Sequence, residues 1–369
     1  MLAVCSLLIA ALVLTPTSTV GKTPDSYSYI KAATNLAEGS SIGTDYRSWP
    51  PLYPMALAPF IALHLESHLD VLNYLLLAAS ALASMIMFRS FGSGLILAMA
   101  LTVVVAHSSP MQLIFRMAWS ETLFIPLSLA WLISWSQYLT AGKTSDLIFA
   151  CLFHALCLAT RHAGIPITAT MLATILLRAR LHSLAHLART IAAIALSTVP
   201  YLIWLWRTYL ISGTTTGERL PQPQPFWMLL SGFSATLSHW LLPGTYLHGI
   251  NPAAIAASLA ALAILCFSVV HFLRIPLSEP KERNFGVALG LTSSVFVLGY
   301  AAFVLWATHR TFLDVPGDRY LAPIYVPLLG LAIFGIKKAA AWLEPNHRYL
   351  WSALFGATWL WIVAEAILP

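Results

Sequence analysis

Stretches of about twenty apolar residues recur along the chain with few charges inside them, and they restrict its fold more than any other feature. Such a stretch cannot stay in water. Inside a bilayer its backbone N–H and C=O groups have only each other as partners, so the available form is the α-helix. We read eleven spans, near 2–20, 70–88, 93–108, 120–139, 146–160, 164–178, 190–210, 253–273, 285–307, 320–336 and 349–368, with nine and twelve as the outer bounds of the count. Only 9% of the 369 residues are charged and 59% are hydrophobic, whereas a water-soluble chain carries roughly a quarter charged residues. The expectation is an all-α integral membrane protein, one polytopic domain over 1–369, with short amphipathic helices in its extracytoplasmic loops.

The formal net charge is +6, but the basic residues are scattered rather than gathered on one face, which speaks against nucleic acid as a partner. Membrane orientation accounts for them better. With the N-terminus cytoplasmic, eleven basic residues face four acidic ones on the inner side, and nine face ten on the outer side. Short connections such as Arg178-Ala179-Arg180 carry the bias. The first span is expected to be retained, since no small-x-small cleavage pattern precedes Gly21. Cys5, Cys151, Cys157 and Cys266 all fall in apolar stretches without metal-ligand spacing and read as small buried hydrophobes.

The unusual side chains fall on the outer side. In the first outer loop, 21–69, Thr23 suits an N-cap, Pro24 the first helical position and Asp25 the first turn. Tyr29, Ala33 and Leu36 follow at helical spacing and Gly39 ends the run, predicting a helix along the interface. Asp25 could merely complement the helix dipole, an explanation of equal weight when the residue is taken alone. The segment Trp49-Pro50-Pro51-Leu52-Tyr53-Pro54 is expected to re-enter the membrane in an extended form, because proline biases its predecessor that way. Trp49 and Tyr53 could stack on a sugar or belong to the aromatic belt.

In the second outer loop, Arg116-Met117-Ala118-Trp119-Ser120-Glu121-Thr122 brings Ser120 as a cap and Glu121 into the first turn of the next span. Ionisable groups at this depth are costly unless paired or wet. Asp25 and Glu121, at two outer helix starts, therefore suggest one convergent pocket. Arg161-His162-Ala163-Gly164 breaks the apolar run between two short spans; Arg161 could snorkel to headgroups or grip a phosphate. The third outer loop, 211–252, contains Gly213-Thr214-Thr215-Thr216-Gly217-Glu218-Arg219, whose amides could cradle an anion but which lacks the lysine of a phosphate loop. Arg319 and Tyr320 stand at the outer start of the tenth span.

These pieces, in this order, resemble the C-type superfamily of membrane glycosyltransferases (GT-C), nearest its bacterial branch related to protein O-mannosyltransferases and the lipid A aminoarabinose transferase. The resemblance rests on Asp25 after the first span, Pro50-Pro51-Leu52-Tyr53-Pro54 closing the first loop and Ser120-Glu121-Thr122 opening the fourth span. Arg161-His162-Ala163-Gly164 and Arg319-Tyr320-Leu321-Ala322-Pro323 complete it, so that it covers most of the chain to about residue 330. It implies transfer of a sugar from a polyprenyl-phosphate or -diphosphate donor, on the outer face of the inner (cell) membrane, to a lipid, glycan or protein acceptor. The family's loop-one acid maps onto Asp25 and its second-loop acid onto Glu121. Ser26 stands where many members carry another acid, which counts against a metal held by two carboxylates; a divalent metal ion otherwise stays open as cofactor.

The reading that follows is an inverting transfer with Asp25 as general base and Glu121 orienting the acceptor or helping to hold a cation. Arg161, Arg219, Arg319 and Tyr320 are the candidates for the donor phosphate, and Tyr29, Trp49, Tyr53, Arg116 and His162 for substrate contact. The rival is a flippase or transporter of lipid-linked saccharides. Alternating access ordinarily draws on contacts at both sides of the membrane, and the inner halves of these spans carry few ionisable residues.

Overall fold

The computed structural model describes Cys5, Ser6, Leu8 and residues 20–177, 183–217, 224–241, 281–310 and 317–342. The expected spans 253–273 and 349–368 lie outside the described residues, as does 2–20 apart from Cys5, Ser6, Leu8 and Val20; so do Arg178, Arg180, Arg219 and Cys266. The described residues form helices α1 (Pro24–Ala37), α2 (Leu52–Ala62), α3 (Leu69–Ser90), α4 (Leu95–His107), α5 (Ser109–Phe115) and α6 (Glu121–Ala141). They continue with α7 (Thr144–Thr160), α8 (Ile165–Leu177), α9 (Leu184–Ser212), α10 (Phe226–Leu241), α11 (Lys281–Arg310) and α12 (Asp318–Trp342). Each of the other eight expected spans meets one of these helices.

By length and composition, three stretches can cross a membrane, Glu66–Ser90, Leu184–Ser212 and Phe285–Arg310, or four if α4 and α5, bent by 60° at Ser108, count as one. That is fewer than the eight crossings expected among these residues. The shortfall is partly one of length: α7 has 17 residues and α8 has 13. At 1.5 Å per residue they reach about 25 Å and 20 Å, against a hydrocarbon core of about 30 Å.

Helix α6 lies at the centre, flanked by α3, α7, α11 and α12. Its Trp131 and Trp135 are fully buried, and the Trp131 ring packs on Phe296 of α11 with centroids 5.6 Å apart. A helix enclosed in this way has to be apolar all round. The serines it does carry, Ser128, Ser134 and Ser136, donate to its own backbone carbonyls at 2.7–2.9 Å, so no buried hydroxyl is stranded. Helix α9 shows the opposite pattern. Leu196, Ile203 and Leu210, one heptad apart, are 63–71% exposed with Trp206 beside them. A continuous apolar face of that kind is suited to lipid, not water.

Antiparallel succession brings the starts of α3, α6, α8 and α12 to the same end of the bundle as the ends of α5, α7, α9 and α11. At that end the indole of Trp240 donates to Asp318 at 2.7 Å, and His309 bonds the Gln224 carbonyl at 2.9 Å. At the other end α3 and α11 approach so closely that a Cβ on Gly286 would fall 2.6 Å from the Ser90 carbonyl oxygen. Phe91 meets Phe334 there at 6.3 Å.

One expectation fails. The segment from Pro50 to Pro54 is not extended throughout: α2 begins at Leu52 with Pro51 as its N-cap, and Pro54 sits in its first turn. The first amide to close a helical bond is that of Met55, to the Pro51 carbonyl at 3.1 Å. Proline removes nothing from a first turn, whose N–H groups have no helical partner.

Gly164 explains part of the Arg161-His162-Ala163-Gly164 break. A Cβ there would lie 2.9–3.0 Å from backbone atoms of Cys157 and Leu158. The short 3-10 turn His162–Gly164 thus folds tightly onto the end of α7, which turns Arg161 inward. Gly164→Ala is expected to lower stability by about 1–3 kcal/mol, since backbone cannot move aside. A thermal midpoint in detergent equal to wild type would contradict this contact.

Candidate active site

The approach to α1 is fixed before its acid appears. The Gly21 amide donates to the Arg116 carbonyl and the Ala118 amide donates to the Gly21 carbonyl, both at 2.9 Å. This short bridge ties the entry of α1 to the entry of α6. Asn73, buried in the first turns of α3, donates to the carbonyls of Phe115 and Met117 at 3.0 Å and pins the same strand from below. The Thr23 amide donates to Ser26 Oγ at 3.0 Å, so Ser26 caps the helix. The Trp119 indole donates to Thr23 Oγ1 at 2.8 Å. Pro24 opens the helix, and Asp25 projects from its first turn.

Four charged side chains meet at this point. Arg161 Nη1 lies 2.5 Å from Glu121 Oε2, and Arg319 Nε donates to Glu121 Oε1 at 2.6 Å. Arg319 Nη2 donates to Asp25 Oδ2, also at 2.6 Å. Two carboxylates and two guanidinium groups cancel formally, the condition for holding charges away from water. Burial grades across the cluster: the Glu121 side chain is 1% exposed, Arg161 14%, Arg319 18% and Asp25 28%. Asp25 is therefore the acid a substrate can reach, and Glu121 the one the protein encloses. The Arg319 guanidinium rests on the Trp119 ring, 4.3 Å from its centroid, with the Tyr320 ring at 5.9 Å.

Ser120 is the neutral hub. Its hydroxyl accepts from Arg161 Nη1 at 2.9 Å and lies 3.1 Å from the Tyr29 hydroxyl. The expected capping role is not seen, because Ser120 has a helical backbone and makes no side-chain cap bond. Ser120 stood out in the sequence only as a cap, and Trp119 and Asn73 did not stand out. For Asn73 a signal existed, since an amide inside an apolar span needs a partner. For Trp119 nothing separated a cation-bearing ring from an interfacial one.

The other expected residues divide. Tyr29 and Tyr53 are 0% and 1% exposed and meet edge to face at 5.1 Å, so their rings form core and offer no face to a sugar. Burial first, and the Glu121 charge second, push the Tyr29 hydroxyl well above the ordinary tyrosine range; burial does the same for Tyr53. Both remain neutral hydroxyls at physiological pH. Trp49 is half-buried, its ring 5.6 Å from Tyr29. His162 braces the loop: its ring nitrogens meet the Tyr201 hydroxyl at 2.7 Å and the Ser48 carbonyl at 3.1 Å. That carbonyl can only accept, so Nε2 carries the proton. Arg207, unremarked in the sequence, donates to the carbonyls of Tyr46 and Gly43 at 3.1 and 2.8 Å and holds the same loop. Arg116 is exposed and supplies only its carbonyl to the bridge, so its side chain stands apart from the cluster. For a metal ion the fit is poor. Both acids are engaged by Arg319, and among the described residues no three His, Cys, Asp or Glu side chains gather at one point.

No protein-family model matches the sequence, and no curated protein matches it. Among solved structures the chain is similar to the crystal structure of ArnT from Cupriavidus metallidurans bound to undecaprenyl phosphate, with a TM-score of 0.53 at 16% sequence identity. The match covers 96% of this chain and 63% of that one, so this chain spans less than two thirds of the length of ArnT. At this identity the likeness is one of fold.

Proposed function

We propose that the chain is a membrane glycosyltransferase of the C-type superfamily, moving a sugar from a polyprenyl-phosphate-linked donor to an acceptor hydroxyl with inversion. The observation that carries this reading is the meeting of a half-open carboxylate, Asp25, with Arg319 at 2.6 Å, beside the buried Glu121–Arg161 pair. The fold shared with ArnT, whose structure holds undecaprenyl phosphate, supports a prenyl-phosphate donor.

Asp25 takes the proton of the acceptor hydroxyl as that oxygen bonds to the anomeric carbon from the face opposite the phosphate. The bond from carbon to phosphate oxygen breaks and its electron pair leaves with the prenyl phosphate. A monoanionic diester becomes a dianionic monoester, so one negative charge develops on the leaving group. Arg319, held by Glu121 and Trp119, meets that charge without reorganising. Glu121 acts as a positioning residue. Arg161, paired with Glu121 and bonded to Ser120, holds that acid in place. The acceptor is a lipid, glycan or protein hydroxyl, and the sugar a hexose or pentose.

The site end is the extracytoplasmic end in this proposal. Arg89, Lys143 and Arg189 belong to the opposite helix ends, where the positive-inside rule expects the cytoplasm. Arg319→Ala is expected to lower kcat/KM for the donor on the order of a hundredfold while leaving acceptor KM nearly unchanged. A defect confined to the acceptor would count against the phosphate role. The reading as a whole is tested by incubating the purified protein with a labelled prenyl-phosphate sugar and cell-envelope extract. Label leaving the prenyl lipid supports transfer; label remaining on it in every extract opposes it.

A further inference from the structure

We propose, resting on the transferase reading, that the donor itself unmasks the base: its phosphate takes the Nη1–Nη2 edge of Arg319 and displaces the Asp25 carboxylate. A guanidinium grips an oxyanion best through two parallel N–H groups on one edge. The Nε–Nη2 edge of Arg319 is closed, because Nε donates to Glu121 Oε1 at 2.6 Å and that side chain is 1% exposed. The Nη1–Nη2 edge remains. Its Nη2 group is where Asp25 Oδ2 sits at 2.6 Å, whereas Nη1 takes part in neither acid contact. A phosphate seated on that edge shares Nη2 with the carboxylate, and two anions held at one nitrogen repel.

Which anion yields follows from how each is held. Glu121 is bonded to both arginines and enclosed; Asp25 is bonded to one and is 28% exposed. Once released, Asp25 still lies in the first turn of α1, whose free amides favour a negative charge. Arg319 does not follow it, being fixed by Glu121 and by the Trp119 ring 4.3 Å away. The resting protein thus keeps its base in an ion pair. A free carboxylate exists only when a donor is in place.

The test is the affinity for a short-chain prenyl methyl phosphodiester, which is monoanionic and carries no sugar to transfer. Exchange requires that Asp25→Asn bind this probe roughly five- to tenfold more tightly than wild type, because a competing anion has gone. Asp25→Ser, which is also uncharged, should tighten binding likewise and serves if the Asn variant folds poorly. Glu121→Gln should move the other way and weaken binding, since Arg319 loses its anchor. Unchanged or weaker binding in both Asp25 variants overturns the exchange. In that case turnover by wild type and its loss in Asp25→Asn would leave the transferase reading standing. Wild-type protein that binds the probe but never transfers sugar would instead remove the transferase reading, and this proposal with it.

Discussion

Asp25→Asn is expected to fold as wild type does and to lose roughly 10²–10⁴-fold in turnover, the range a positioned carboxylate supplies as general base. The amide has the same shape, and its oxygen can still accept from Arg319. The local structure does not depend on the charge: Ser26 caps the Thr23 amide and the Gly21–Met117 bridge fixes the approach. With Asp25 28% exposed, its ion pair contributes to stability at the level of about 0–1 kcal/mol, as partly solvated pairs do. What the variant lacks is a place for the acceptor's proton. Turnover on a lipid-linked sugar and the thermal midpoint should be read on the same preparation. Activity near that of wild type would show that the proton leaves by another route.

Glu121→Ala should fail in the other way, through stability. Its side chain is 1% exposed and meets Arg161 at 2.5 Å and Arg319 at 2.6 Å. Removing it leaves two guanidinium groups with a single carboxylate between them. Breaking a buried pair in this way typically costs about 3–5 kcal/mol, because a charge is left without compensation. The thermal midpoint in detergent should therefore fall far more than for Asp25→Asn, although each variant removes one negative charge from the same cluster. Glu121→Gln, which keeps the volume and one accepting oxygen, should lie between them. Equal midpoints for Glu121→Ala and Asp25→Asn would contradict the division into an enclosed positioning acid and an accessible base.

The contrast between these two acids was only half visible in the sequence. Asp25 and Glu121, each at the start of a helix, and Arg161 and Arg319, each at a membrane boundary, stood out because ionisable groups there need partners. Which of them pair is a tertiary fact. Nothing local says that Arg319 bridges both acids, or that Ser120 gives its hydroxyl to Arg161 rather than to a helix cap. The aromatics misled for a related reason. Tyr53 reads as a sugar platform or a belt residue and Tyr29 as a substrate contact, but burial depends on what packs over them, for Tyr29 the rings of Tyr46, Trp49 and Tyr53. Helix positions were easier, since apolar length carries them. The short α7 and α8 show the limit of that signal: composition marks a helix without saying that it reaches both surfaces.

Transfer rather than passage is the central claim, and a leaflet-resolved assay reads it directly. The protein is reconstituted in vesicles with a prenyl-phosphate-linked radiolabelled sugar and an envelope-derived acceptor. Free prenyl phosphate and label on the acceptor should appear together, in equal amounts, and only with Asp25 intact. Label that changes leaflet while still joined to its prenyl phosphate, equally in wild type and Asp25→Asn, would contradict the account and favour a flippase.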